Sequence, residues 1–253
     1  MRNPLIGGAL SDCPIQHIAD AAPAPAGNAD IADVSLLWNC NVAPTTAGNG
    51  PNIGARMELA GNASIASTNA HTDAGFANAL QLDGTGDYAS GAAKLDIPAS
   101  TEFYAEVFAR TTSTLDSGRQ ALMCFGETGQ YWTLQWYGAS TTFIFDSSGA
   151  GTPLFGSTVT FTTGTWHHVA VSKNTGGNWN LYFNGTRIDT GSSNATVSAA
   201  GSSTFYLGEE TTQYQSTSVQ WGGEICGAFV SIGNNMGATG ASITVPTTPR
   251  LTY

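Results

Sequence analysis

Charge is scarce in this chain. Charged residues make up 10% of it, with 8 Lys+Arg against 18 Asp+Glu and a formal net charge of −10. Nucleic acid and anionic membranes are held chiefly by basic groups that displace counterions from phosphates, so neither is expected as a partner. The shortage of Glu, Lys and Arg also removes the residues that stabilise exposed helix faces, and no window shows a helical period. Long apolar runs are missing too: none approaches the roughly 20 residues a membrane-spanning helix needs. The four cysteines, Cys13, Cys40, Cys124 and Cys226, are widely spaced with no C-x-x-C pair, which argues against zinc and redox motifs. Buried thiols are expected, with one disulfide as the alternative. No secretory leader is expected, because Ser11-Asp12 cuts short the apolar stretch that begins at Pro4. The expectation is synthesis in a host cytoplasm without export.

Present in quantity are glycine (31), with 10 prolines and much Ser, Thr and Asn. The most ordered window is Thr165 to Thr190, TWHHVAVSKNTGGNWNLYFNGTRIDT, which holds three β-period segments and two turn signals. The first turn is Lys173 to Gly177. The second is Asn184-Gly185, the dipeptide suited to a type I′ hairpin, where both central residues take positive φ. Between the turns Trp179, Leu181 and Phe183 alternate with Asn180 and Tyr182, so one face is apolar and the other largely polar.

The same period places strands elsewhere. Val34 to Trp38 opens the series, followed by a short strand at Arg56 to Leu59 and a longer segment at Phe76 to Leu82. In Phe103 to Arg110, Phe103, Ala105, Val107 and Ala109 share one face, while Tyr104, Glu106, Phe108 and Arg110 form a second, expected to be wet or ligand-lined. In Gln130 to Tyr137 the split is Trp132, Leu134 and Trp136 against Tyr131, Thr133, Gln135 and Tyr137. Further strands are predicted at Thr142 to Asp146, Thr158 to Thr162, Thr204 to Gly208 and Gly223 to Ile232, with an edge strand at Ala241 to Val245. Short strands, regular turns and no helical period predict an all-β, two-sheet antiparallel sandwich. Residues 1–32, rich in Ala, Pro and Gly, read as an extended N-terminal arm; 33–232 form the sandwich and 233–253 a C-terminal extension.

Candidate chemistry is sparse. The one dense acidic spot, Glu209-Glu210, puts neighbouring strand residues on opposite faces, so it makes no glycosidase dyad. His167-His168 are divided in the same way and cannot chelate one ion together. Asp83 and Asp87 flank a Gly-Thr-Gly turn; they either cap that turn or contribute to a calcium site, whose six to eight oxygens would have to come in part from elsewhere. The aromatic set is richer. Tyr131, Tyr137, Tyr182 and Tyr206 sit opposite the apolar stripes, and Trp221 lies beside a polar loop. Tyrosines among Asn and Gln can stack sugar rings and read hydroxyls, or serve a protein interface.

Two segments carry a resemblance. W-H-H-V-A-V-S, a Gly/Asn turn and W-x-L-Y-x-N-G resemble the central hairpins of laminin-G-like domains of the concanavalin A-like lectin/glucanase jelly roll. Phe76 to Tyr88, FANALQLDGTGDY, is similar to the entry segment of those domains. The resemblance implies a jelly-roll sandwich and a rim where relatives bind calcium. The E-x-D-x-x-E strand of the fold's glycosidases has no counterpart, so no enzyme activity is expected. With the expected arm, the acidic polar surface and no leader expected, the whole resembles a bacteriophage virion protein. The expectation is a head decoration or fibre component that oligomerises and meets other virion proteins through its arm and displays the sandwich to surface glycans. A cement protein without ligand is the alternative, and a glycan-active hydrolase with an unfamiliar acid pair is the third reading.

Overall fold

A computed structural model describes residues 34–38, 40, 57–112, 118–127, 130–138, 141–147, 154–197, 204–209 and 220–250. The expected arm, residues 1–32, lies outside these. The described residues form fifteen strands: β1 (Val34–Trp38), β2 (Glu58–Ala60), β3 (Ser64–Ala66), β4 (Ala79–Asp83), β5 (Tyr88–Ala92), β6 (Phe103–Thr111), β7 (Arg119–Glu127), β8 (Gln130–Tyr137), β9 (Thr142–Ser147), β10 (Leu154–Thr158), β11 (His167–Lys173), β12 (Asn178–Phe183), β13 (Thr186–Ser192), β14 (Thr204–Leu207) and β15 (Gly222–Ile232). They pair into two antiparallel sheets. The eight-stranded sheet runs β13-β12-β11-β6-β15-β4-β3, with β1 on the stretch of β15 that β4 leaves; the seven-stranded sheet runs β10-β9-β8-β7-β14-β5-β2. This is the concanavalin A-like jelly roll.

Period-2 alternation builds the core between the sheets. Phe103 meets Trp132 at 5.5 Å between ring centroids, and Trp179 stacks on Phe145 at 4.9 Å. The Asn184-Gly185 turn takes its expected form, with φ of +49° and +79°. Strand β7 had no signal at the sequence level because Ala121 to Phe125 is a continuous apolar run without alternation, broken by a bulge between Ala121 and Met123. The strand predicted at Thr158 to Thr162 lies earlier, at Leu154–Thr158: Gly156 is pressed against the β9 backbone, where a Cβ would come within 2.3 Å of the Phe143 carbonyl oxygen.

The outer face of the eight-stranded sheet is covered by the chain itself. Residues 67–78, including one 3-10 turn at Thr72–Ala74, lay Phe76 and His71 on Phe108 at 5.6 and 4.9 Å. Residues 233–250 cover the rest. The Ser172 hydroxyl donates to the Ala238 carbonyl, Tyr182 Oη donates to the Gly240 carbonyl at 3.1 Å, and Arg250 pairs with Glu106. The edge strand expected at Ala241 to Val245 is reduced to a single bridge, Thr186 to Ser242, as this segment turns across the sheet. The second face of Phe103 to Arg110 is therefore not wet: Glu106 is 1% exposed.

Candidate functional site

The outer face of the seven-stranded sheet carries the polar and aromatic side chains that alternate with the core. Strand register orders them in rows. Glu58, Ser90, Tyr206, Cys124, Thr133 and Asp146 follow one another across β2, β5, β14, β7, β8 and β9. A second row brings Arg119 of β7 beside Tyr137 of β8. Arg119 reaches diagonally between the rows: its Nη1 lies 3.2 Å from Asp146 Oδ2, and its guanidinium stands 5.6 Å from the Tyr137 ring centroid. Burial raises the Asp146 carboxyl above its ordinary pKa, and the Arg119 charge with a hydrogen bond from Tyr131 pulls it part of the way back. At the other end of the face the Tyr88 and Tyr206 rings lie 5.9 Å apart.

The centre and the periphery of this face differ. Thr133 and Gln135 are fully buried and Tyr131 is 4% exposed, whereas Tyr88, Tyr137, Tyr206, Ser90 and Thr204 are half-buried and Glu58 is exposed. At the β2 edge, Glu58, Ser90, Gly91, Ala92 and Thr204 line a cavity of about 370 Å³.

Of the aromatic residues expected to bind carbohydrate, Tyr131, Tyr137 and Tyr206 lie on this face, Tyr131 and Tyr137 on β8 and Tyr206 two strands away on β14. The other two do not. Tyr182 lies on the opposite sheet beneath residues 236–243 and is fully buried. Trp221 is fully buried as well; its indole donates to the Arg110 carbonyl at 3.3 Å and packs edge-on against Phe161. Hydrophobic packing claims Trp221 although its neighbours in the chain are polar. Tyr88, Arg119, Glu58 and Ser90 were missed. Tyr88 and Ser90 follow strict alternation after the Asp83 to Asp87 turn, and Arg119 is one of only 8 basic residues, so both signals were present.

Asp83 and Asp87 organise that turn. Asp87 is 1% exposed; its Oδ1 accepts the Asn62 N–H at 2.8 Å and its Oδ2 the Asp83 N–H at 2.9 Å. Asp83 accepts from Asn62 Nδ2 and from the Thr85 N–H, which hold its carboxyl below the usual range. Among the described residues no three His, Cys, Asp or Glu side chains converge as metal ligands; Glu210 lies outside them. His168 lies on the covered outer face of the eight-stranded sheet, with its Nε2 3.1 Å from Glu106 Oε2.

The sheet order and the turn lead to a family. The model of the concanavalin A-like lectin/glucanases superfamily, laminin-G type, matches residues 83–228. The chain belongs to that superfamily. No curated protein sequence matches. Among solved structures, domain 4 of AbnA, an extracellular GH43 arabinanase from Geobacillus stearothermophilus in complex with arabinotriose, superposes with a TM-score of 0.56 at 16% identity, covering 79% of this chain and 93% of that one. The binding domain of botulinum neurotoxin serotype D gives a TM-score of 0.57 at 13% identity, covering 79% of this chain and 48% of the other. Botulinum neurotoxin type C, whose cell entry depends on two ganglioside molecules, gives 0.57 at 14%, with coverage of 79% and 48%. The superfamily member described here thus spans about half of the neurotoxin chains it matches. At these identities the likeness is one of fold.

Proposed function

We propose that this chain is a non-catalytic, lectin-like recognition sandwich that binds surface glycans through the outer face of its seven-stranded sheet. The observation that carries the reading is the unequal use of the two outer faces. One is sealed by the chain's own residues 67–78 and 233–250, and the other, buried at its centre, keeps Tyr88, Tyr137 and Tyr206 half-buried at its periphery, with Tyr137 beside an Arg119–Asp146 pair. Tyrosines offer an apolar face to sugar C–H groups and a polar tip to hydroxyls. The arabinotriose-bound arabinanase domain and the ganglioside-dependent neurotoxin share the fold and support this direction. A non-catalytic role is supported by the engagement of the buried carboxylates among the described residues: Asp146 with Arg119, Glu106 with Arg250 and His168, Glu224 with Asn69 and Arg110, Asp87 with two backbone N–H groups, and Glu209 with Gln220. A glycosidase needs two carboxyls facing a common substrate.

The setting we propose is a virion, with the sandwich on a head or fibre and residues 1–32 contacting a neighbouring subunit. A glycan array probed with the full chain tests the binding. Tyr137→Ala and Tyr206→Ala should each reduce the signal about tenfold, the scale of one lost stacking contact. Antibody labelling of purified particles tests the setting, and unlabelled particles would refute it. The alternative, a ligand-free cement protein, predicts an empty array.

A further inference from the structure

We infer that residues 233–250 are exchanged between two copies of this chain, so that the outer face of the eight-stranded sheet is a docking surface for the same segment of a second molecule. The sheet concerned is not the one assigned to glycans. Segment and surface are unequal in burial. Of residues 233–250 only Asn235 and Ala238 are buried, and the segment meets the sheet edge in one isolated bridge rather than a strand. The surface beneath it is closed from water: Tyr182 and Ala170 are 0% exposed, Phe229 1% and Tyr104 2%. A segment with few buried side chains opens at low cost, whereas the aromatic face it uncovers stays unfavourable in water until it is covered again.

The bonds that hold the segment do not depend on which copy supplies it. The Ser172 hydroxyl donates to the Ala238 carbonyl and Tyr182 Oη to the Gly240 carbonyl; the Arg187 N–H donates to the Ala241 carbonyl at 2.9 Å, and the Ile243 N–H to the Gly185 carbonyl at 2.8 Å. Arg250 adds the charged contact with Glu106. Each partner belongs to the folded body and not to the segment, so a second copy offers identical contacts, the condition for a swap. The hinge is what distinguishes the two forms. After Ile232 the chain reverses to lie back on its own sheet, with φ of +107° at Gly233, +56° at Met236 and +69° at Gly237. Met236 carries a Cβ, for which left-handed backbone is unfavourable, so the reversal is strained there. In the exchanged form the chain runs on past Ile232 to the partner, and that strain is released. Opposing exchange are the Gly233 N–H bond to the Glu102 carbonyl at 2.8 Å, the Asn235 Nδ2 bond to the Glu102 carboxylate at 3.0 Å, and the freedom lost on association. Protein concentration therefore decides between monomer and swapped dimer.

The test uses the full chain carrying Thr186→Cys and Ser242→Cys, the two exposed positions of the bridge between segment and sheet, with Cys13→Ser to remove a competing thiol; Cys40, Cys124 and Cys226 are buried. The protein is refolded from urea at increasing concentrations and oxidised, and its links are mapped by non-reducing gel and mass spectrometry, beside light scattering of the unsubstituted chain. The expected result is a 186-to-242 link within one chain in dilute solution and across two chains in a dimer whose ratio to monomer rises about tenfold for a tenfold rise in free monomer. Deleting residues 234–236 removes the reversal, so the segment no longer reaches its own sheet and the dimer should predominate even when dilute. Intrachain links alone at every concentration overturn the inference, whether the unsubstituted chain is monomeric or dimeric by light scattering. A dimer linked 186 to 186 or 242 to 242 overturns it as well, being association without exchange, and so does a deletion variant that stays monomeric with an unchanged melting temperature.

Discussion

Replacing Arg250 by alanine should loosen the C-terminal segment and invert the pH dependence of stability. Glu106 sits in mid-sheet on β6, 1% exposed, and its Oε2 accepts from Tyr104 Oη at 2.6 Å and lies 3.1 Å from His168 Nε2. Arg250 pairs with the other oxygen, and its guanidinium stacks over Phe229 at 4.5 Å and Tyr104 at 5.7 Å. Burial alone would raise the Glu106 pKa. The Arg250 charge and the His168 hydrogen bond overcome it and hold the carboxyl well below the usual carboxylate range. A depressed folded-state pKa stabilises the fold above the unfolded value of about 4.3, and the contribution is lost only as pH falls below that. Without Arg250 the burial effect dominates and the folded pKa rises, so the contribution is present below about pH 4.3 and is lost as pH climbs through the new value.

Removing one partner of a buried pair costs about 3–5 kcal/mol, which for a domain of this size lowers Tm by roughly 10 °C. Urea unfolding and calorimetry at pH 4, 5.5 and 7 should show Arg250→Ala weakest at pH 7 and closest to wild type at pH 4. The double variant Glu106→Gln, Arg250→Ala should regain part of the loss, because no charge is then left buried. A penalty under about 1 kcal/mol, or a pH profile parallel to that of wild type, would refute the assignment of Arg250 as the latch of residues 233–250.

Other outcomes follow from the same geometry. Gly185→Ala should cost about 1–2 kcal/mol, because φ is +79° and the new Cβ would meet the Ile243 carbonyl oxygen at 2.8 Å; thermal melts check it. Trp221→Ala should cost about 3–5 kcal/mol as a core truncation, whereas Tyr206→Ala should leave stability nearly intact and weaken glycan binding. Asp87→Ala strips the acceptor from two backbone N–H groups and should cost roughly 2–4 kcal/mol, equally in calcium and in EDTA. A calcium-dependent rise in wild-type Tm that disappears in Asp87→Ala would instead make Asp87 a metal ligand.

Much of this was written locally. Alternation in Phe103 to Ala109 and in Trp132 to Trp136 identified the core stripes, because successive strand side chains must point to opposite faces. Asn184-Gly185 specified its turn through the positive φ that few other residues tolerate, and Asp83 and Asp87 flanked theirs at the spacing that lets carboxylates reach backbone N–H groups. Whether an outward-facing residue meets water was not written there. Tyr182 and Tyr206 look alike in sequence, each opposite an apolar stripe, yet Tyr182 is sealed beneath residues 58 positions away while Tyr206 stays half-buried.

The sequence by itself therefore determined the strands, the turns and the face each side chain takes, since these depend on backbone sterics and on neighbours a few residues apart. The tertiary structure alone decided which outer face is spent. Arg250 meets Glu106 across 144 positions, and Ser90 stands between Glu58 and Tyr206 only because β2, β5 and β14 pair in that order. Contacts of that separation follow from how the two sheets bury their apolar stripes together, a property of the whole chain that no local window contains.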